Sequence, residues 1–153
     1  MKRKLLTLIL PLMAFACLFT ACSDDDDNDS VRIVQYPVPE RMQLDVQDNK
    51  PVLVKTEAGF NDLFGAYAAQ LPKVDFTRYD LVYGQGASDY GVVSFESWID
   101  GDTPPYRLVV HIEQNYTHEY VRWAVAYLLP KNDNNQVTMA VSVEMAEETA
   151  SNE

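Results

Sequence analysis

The chain contains very little cysteine. Its two cysteines, Cys17 and Cys22, both lie within the first 22 of its 153 residues. A domain formed by the rest of the chain has no disulfide, no cysteine nucleophile and no cysteine-ligated metal site. Such a domain must be held together by the packing of its own core.

Positive charge is also scarce. The chain has 12 Lys and Arg against 23 Asp and Glu, and three of the basic residues stand at positions 2–4. From Cys22 onward, nine basic residues face 23 acidic ones, which gives a formal charge of −14. No cluster of Lys or Arg remains there to neutralise phosphates, so the sequence predicts no nucleic-acid partner.

Catalytic signatures are missing as well. No serine stands in a strand–elbow–helix context, and the spacing HExxH is absent. The glycine-rich stretch 84–91 leads into a strand pattern rather than a helix, so we predict a hairpin connection there and not a phosphate-binding loop. We therefore predict no catalysis, no cofactor and no metal. One alternative remains, a small metal-dependent enzyme centred on His111, because the side chains of His111, Glu113 and His118 are of metal-ligand types.

The N-terminus has the pattern of an export signal. Lys2, Arg3 and Lys4 precede an apolar run over residues 5–19, which is shorter than the roughly 20 residues of a membrane span. The sequence Phe19-Thr20-Ala21-Cys22 resembles the lipobox of bacterial lipoproteins, with Phe19 in place of the usual leucine. The resemblance implies that residues 1–21 are a signal peptide, that Cys22 is acylated, and that lipid anchors the protein in the outer membrane.

Residues 22–30 comprise this cysteine and an acidic tether that follows it. It begins with Ser23, Asp24, Asp25, Asp26 and Asp27. A run of carboxylates repels itself and stays solvated. The run also resembles the surface-export signal of Bacteroidetes lipoproteins, which implies a domain that faces the cell exterior.

The end of the tether carries a second motif. Asp29-Ser30-Val31 resembles the short O-glycosylation site of the same phylum, which makes Ser30 a candidate for modification.

Residues 31–145 are predicted to form one domain, followed by a flexible tail at 146–153. Alternating apolar residues indicate strands, and the stripe from Phe60 to Leu71 indicates one helix, with Thr56 as its predicted N-cap. The predicted strands cover 31–36, 42–46, 51–55, 79–83, 92–99, 106–113, 120–129 and 136–144, and the predicted helix covers 56–71. The fold class is α+β: a mainly antiparallel sheet, sandwich-like or a partly closed barrel, with one amphipathic helix.

The middle of the chain resembles a second family. The helix entry at 56–64, the triplet Val74-Asp75-Phe76 and the strand at Leu81 are similar to the C-terminal domain of PrcB-like protease-complex subunits. The likeness covers residues 52–144, and the turn of that family is present only as Ser88-Asp89-Tyr90-Gly91. It implies a non-enzymatic accessory role.

The sequence therefore favours a binding or accessory module for a protein or a glycan. Large aromatic side chains suit such contacts, and Tyr90, Trp98 and Tyr116 are the candidate binding residues. Tyr90 and Tyr116 lie in predicted loops and are expected to be exposed. Two alternatives remain open. One is an accessory or inhibitor-like partner of an envelope protease, and the other is the metal-dependent enzyme described above.

Overall fold

Two β-sheets and one short helix make up residues 31–147, which are the residues that the computed structural model describes. The elements are β1 (Val34–Gln35), β2 (Val52–Val54), α1 (Glu57–Phe64), a 3₁₀ helix (Gly65–Gln70), β3 (Tyr79–Ser88), β4 (Val92–Asp100), β5 (Tyr106–Gln114), β6 (Val121–Pro130) and β7 (Val137–Met145). One sheet has the order β1-β6-β3-β2, and the other has the order β4-β5-β7. The two sheets and the helix confirm the α+β sandwich-like class.

Several predicted features lie outside the described residues. They are the signal peptide, the acylated Cys22, the acidic run 23–27, the glycosylation candidate Ser30 and residues 148–153 of the tail. Between residues 31 and 147, no helix combines the length and the apolar character needed to cross a bilayer.

The first sheet is buried on both of its faces. Strands β3 and β6 pair along ten residues, from Tyr79 opposite Pro130 to Ser88 opposite Val121. One face packs on the aromatic side chains of α1, and the other packs on β5 in the second sheet. A strand buried on both faces is apolar at successive positions, which explains the continuous apolar run of β6 and confirms that it is a strand.

The helix is shorter than the sequence predicts. Thr56 caps it as expected, because its Oγ1 accepts a hydrogen bond from the Gly59 amide at 3.1 Å. The α-helix ends at Phe64, since Gly65 takes a φ of 51°, and the chain continues as a 3₁₀ helix to Gln70. Phe64 is buried as predicted, but Tyr67, expected on the same stripe, is exposed.

The glycine-rich stretch is not the hairpin loop that the sequence predicts. Strand β3 continues through it to Ser88. A Cβ on Gly86 would collide with the ring of Trp123, and a Cβ on Gly84 would lie 2.9 Å from Cδ2 of Leu108. These glycines therefore mark places where large side chains approach the strand backbone closely.

The predicted strand at 42–46 is also absent. This segment crosses the face of the first sheet, and its backbone pairs with the side chain of Gln85 instead of a neighbouring strand. The Gln85 Oε1 accepts from the Leu44 amide at 2.9 Å, and its Nε2 donates to the carbonyls of Leu44 and Val46 at 3.2 and 3.1 Å. The first predicted strand, 31–36, is reduced to the two residues of β1.

One strand pair runs against the predicted antiparallel pattern. Strand β7 pairs with β5 in parallel, in an unbroken register from Tyr106 opposite Val137 to Gln114 opposite Met145. Parallel neighbours need a crossover connection. Here β6 provides it, because the chain passes through the first sheet before it returns to the second.

Candidate functional site

A groove of about 820 Å³ opens along one side of the sandwich, between strand β4 and the side of the first sheet formed by β1 and β6. It follows β4 from Val92 to Trp98, which is about 20 Å at about 3.3 Å per residue. Its lining comes from residues 35–38, 40–41, 92, 95–98, 119 and 121–126.

Strand β1 forms only a short part of the groove wall on the side of the first sheet. Strand β1 pairs only with Tyr127 and Leu128 of β6. Beyond that point, two backbone hydrogen bonds hold segment 36–40 against β6: Tyr36 N to Ala126 O at 2.8 Å and Ala124 N to Glu40 O at 2.7 Å. The space between the sheets is therefore open to solvent on this side.

Two aromatic side chains of β4 line this opening on opposite faces of the strand. Phe95 is aligned with the core residue Ile112, is 36 % exposed, and has its ring centroid 5.8 Å from that of Trp123. Trp98 is aligned with Val109 on the outer face of the sheet and is 44 % exposed. The groove thus offers two large apolar rings to a ligand.

Charged side chains of both signs surround these rings. The cations are Arg41 and Arg122, and the anions are Glu40, Glu96 and Glu119. The Arg122 guanidinium lies 5.4 Å from the ring centroid of Tyr120 and donates to Gln43 Oε1. Apolar rings beside charged and amide groups suit a ligand that has both apolar faces and hydrogen-bonding groups.

The wall formed by β4 is poorly suited to pairing with an added strand. The Tyr127 hydroxyl, from the opposite sheet, already donates to the Ser97 carbonyl at 2.6 Å. An irregularity in the register also separates Val92 from Ser94. Natural edge strands are protected from association by such features. A ligand in the groove would therefore be bound mainly by side chains.

Tyr36 forms part of the groove wall next to the helix layer. Its hydroxyl donates to the carbonyl of Pro72. Burial raises the pKa of Tyr36 to about 12. Tyr36 therefore acts as a hydrogen-bond donor that joins β1 to the end of the helical segment.

The three candidate binding residues fall in different places. Trp98 lies at the groove, whereas Tyr116 is exposed, as expected, but in the β5–β6 loop outside the groove lining. The prediction that Tyr90 is exposed is wrong, because its ring packs on His118 with a centroid distance of 5.0 Å. The hydrogen bond from Gly91 N to Thr117 O, at 3.0 Å, joins the β3–β4 and β5–β6 loops at this point. One side of the Tyr90 ring is therefore covered.

The structure does not bring His111, Glu113 and His118 together as a metal site. The His111 Nδ1 lies 2.9 Å from Ser142 Oγ, and the Glu113 Oε2 accepts from Ser94 Oγ at 3.1 Å, while His118 packs on Tyr90. In the described part of the chain, no three His, Cys, Asp or Glu side chains form a group that could hold a metal ion.

Sequence reasoning missed most of the groove. Phe95, Trp123 and Arg122 stand in strands that were predicted correctly, but nothing local distinguishes them from ordinary core and surface residues. Comparison of the chain with protein-family models, with curated proteins and with solved structures gives no match.

Proposed function

We propose that this chain is a non-catalytic lipoprotein of the bacterial cell envelope that binds a protein or a glycan in the groove beside β4. Lipid on Cys22 would hold it in the outer membrane, and the acidic run after the cysteine would direct it to the cell exterior. The domain would then present its groove to molecules outside the cell.

The groove is the observation that carries the binding part of this proposal. It is long and open, and it places Phe95 and Trp98 beside charged groups of both signs. Binding sites of this kind obtain affinity from large aromatic anchors and orientation from a few polar groups.

Replacing Trp98 by Ala should weaken binding strongly. Truncation of an aromatic anchor costs about 2 kcal/mol or more, which is about 30-fold in Kd. The measurement is binding of the mature lipoprotein in detergent to a glycan array and to an outer-membrane protein extract of the native host. Because both tryptophans of the chain line the groove, intrinsic fluorescence gives an independent titration.

The matched control is Tyr116→Ala, which removes an aromatic side chain that is even more exposed but lies outside the groove. It should bind as the wild type does. Equal binding by the wild type and the Trp98→Ala variant, or an equal loss in both variants, would contradict a binding site at the groove.

Anchoring and surface display should separate in mutants. Cys22→Ala should abolish acylation and leave the precursor uncut, since the thiol is the acceptor of the lipid. Replacing Asp24, Asp25, Asp26 and Asp27 by Ala should preserve acylation but leave the domain facing the periplasm. The measurement is antibody access on intact cells of the native host, with lipid labelling as the control. Equal access for the four-alanine variant and the wild type would reduce the acidic run to a spacer.

A further inference from the structure

Strand β7 forms one edge of the second sheet. In the sheet order β4-β5-β7, strand β7 pairs with β5 on one side and, among the described residues, with no strand on the other. Its core-facing positions are Val137, Met139, Val141, Val143 and Met145, by register with β5. Val143 is 51 % exposed and Met145 is 39 % exposed, so the C-terminal half of this apolar row is left uncovered.

The other edge of this sheet is protected, which makes β7 unusual. Strand β4 has the register irregularity near Val92, the Ser97 carbonyl engaged by Tyr127, and the opposing groove wall. Strand β7 has nine residues in unbroken register with β5, contains no proline, lysine or arginine, and has Glu144 as its only charge. A long, regular, weakly charged edge strand is an expected site of strand pairing.

We propose that a second copy of this chain pairs with the β7 edge, in an antiparallel arrangement around a two-fold axis at Val141. This axis places Met139 opposite Val143 of the second copy, and Val137 opposite Met145. On the outer face it places Ala140 opposite Ser142 and Thr138 opposite Glu144. The result is one continuous six-stranded sheet.

The sequence of β7 matches itself across this axis, which favours a second copy as the partner strand. Read outward from Val141 in both directions, apolar positions meet apolar positions and polar or small positions meet their like. A two-fold interface requires this self-complementarity. The single acidic side chain meets a threonine rather than its own copy, so the pairing avoids direct contact of like charges although the domain is strongly acidic.

The test is a scan with single cysteines in the full chain, expressed in the native host and treated on its membranes with copper phenanthroline. Directly opposed residues of antiparallel strands have Cα atoms about 4.5–5.5 Å apart, within the range that a disulfide spans. Val141→Cys should therefore give a crosslinked dimer. Val137→Cys or Met145→Cys alone should not, because each would lie about 26 Å from its own copy.

The double variant Val137→Cys with Met145→Cys should restore the crosslink, since these two positions oppose each other across the axis. Ser94→Cys, on the protected edge, and the wild type set the background. Adding Val143→Lys to Val141→Cys should reduce the yield at least tenfold, whereas adding Val143→Leu should leave it unchanged. No dimer above background, or equal yields at positions 137, 141 and 145, would overturn the proposal.

Discussion

Replacing Gln85 by Glu is expected to destabilise the domain by about 3–5 kcal/mol at neutral pH, the cost of an uncompensated buried charge. Gln85 is only 2 % exposed. Its Nε2 donates to the carbonyls of Leu44 and Val46 and to Asp48 Oδ1, the last at 2.9 Å. A carboxylate there would place an oxygen against three acceptors and lose every one of these bonds.

The loss should depend on pH in a definite direction. Burial and the nearby acceptors would raise the pKa of the introduced carboxyl in the folded state above its value in the unfolded chain. The destabilisation should therefore be complete at high pH and should shrink as the pH falls through the folded pKa. The measurement is urea unfolding of the chain from Ser23 onward, at pH 5 and pH 8.

Gln136→Glu is the matched control, because it makes the same chemical change at an exposed position just before β7. It should change the free energy of unfolding by no more than about 0.5 kcal/mol. If Gln85→Glu were equally mild at pH 8, segment 42–48 would not depend on the Gln85 side chain.

Replacing Phe64 by Ala should cost about 3–5 kcal/mol, which is the usual loss for a buried phenylalanine. Phe64 is the last residue of α1 and is almost completely buried. Its ring centroid lies 4.6 Å from that of Phe60, and it meets Tyr83 of the first sheet edge-on at 5.6 Å. Truncation would open a cavity between the helix and the sheet, which the paired strands cannot close.

Tyr67→Ala provides the comparison, because the sequence pattern places Tyr67 on the same stripe whereas the structure exposes it. Its expected cost is below about 1 kcal/mol. Thermal and urea unfolding of both variants would measure the difference. Similar losses for the two would mean that the α-helix continues past Gly65 and buries Tyr67 as well.

The sequence alone determined the features that depend on local periodicity and capping. Alternation from Tyr106 to Ile112 correctly predicted the buried face of β5, and the same kind of pattern located β7. A continuous apolar run located β6. Thr56 was identified as the helix cap from its side chain and its position. These features are readable because each rests on residues within a few positions of one another.

The residues that line the groove could be predicted only in part. Trp98 was named as a candidate because it is a large aromatic side chain, and the structure leaves it 44 % exposed at the groove. Phe95 and Trp123 were not recognised, because their position at an opening depends on how far β1 extends along β6. That length is set by contacts between segments about 90 residues apart in the chain.

Tertiary structure decided the remaining features, and in each case the cause is a partner distant in sequence. Gly84 and Gly86 have the local signature of a turn, but they belong to a strand because Leu108 and Trp123 need the space that a Cβ would fill. Residues 42–46 have the alternation of a strand, but the side chain of Gln85 takes the place of a neighbouring strand. The parallel pairing of β5 with β7, and with it the free β7 edge, arises because β6 enters the other sheet. Local periodicity carries no information about which distant segment will occupy a given face, so only the packed structure fixes these outcomes.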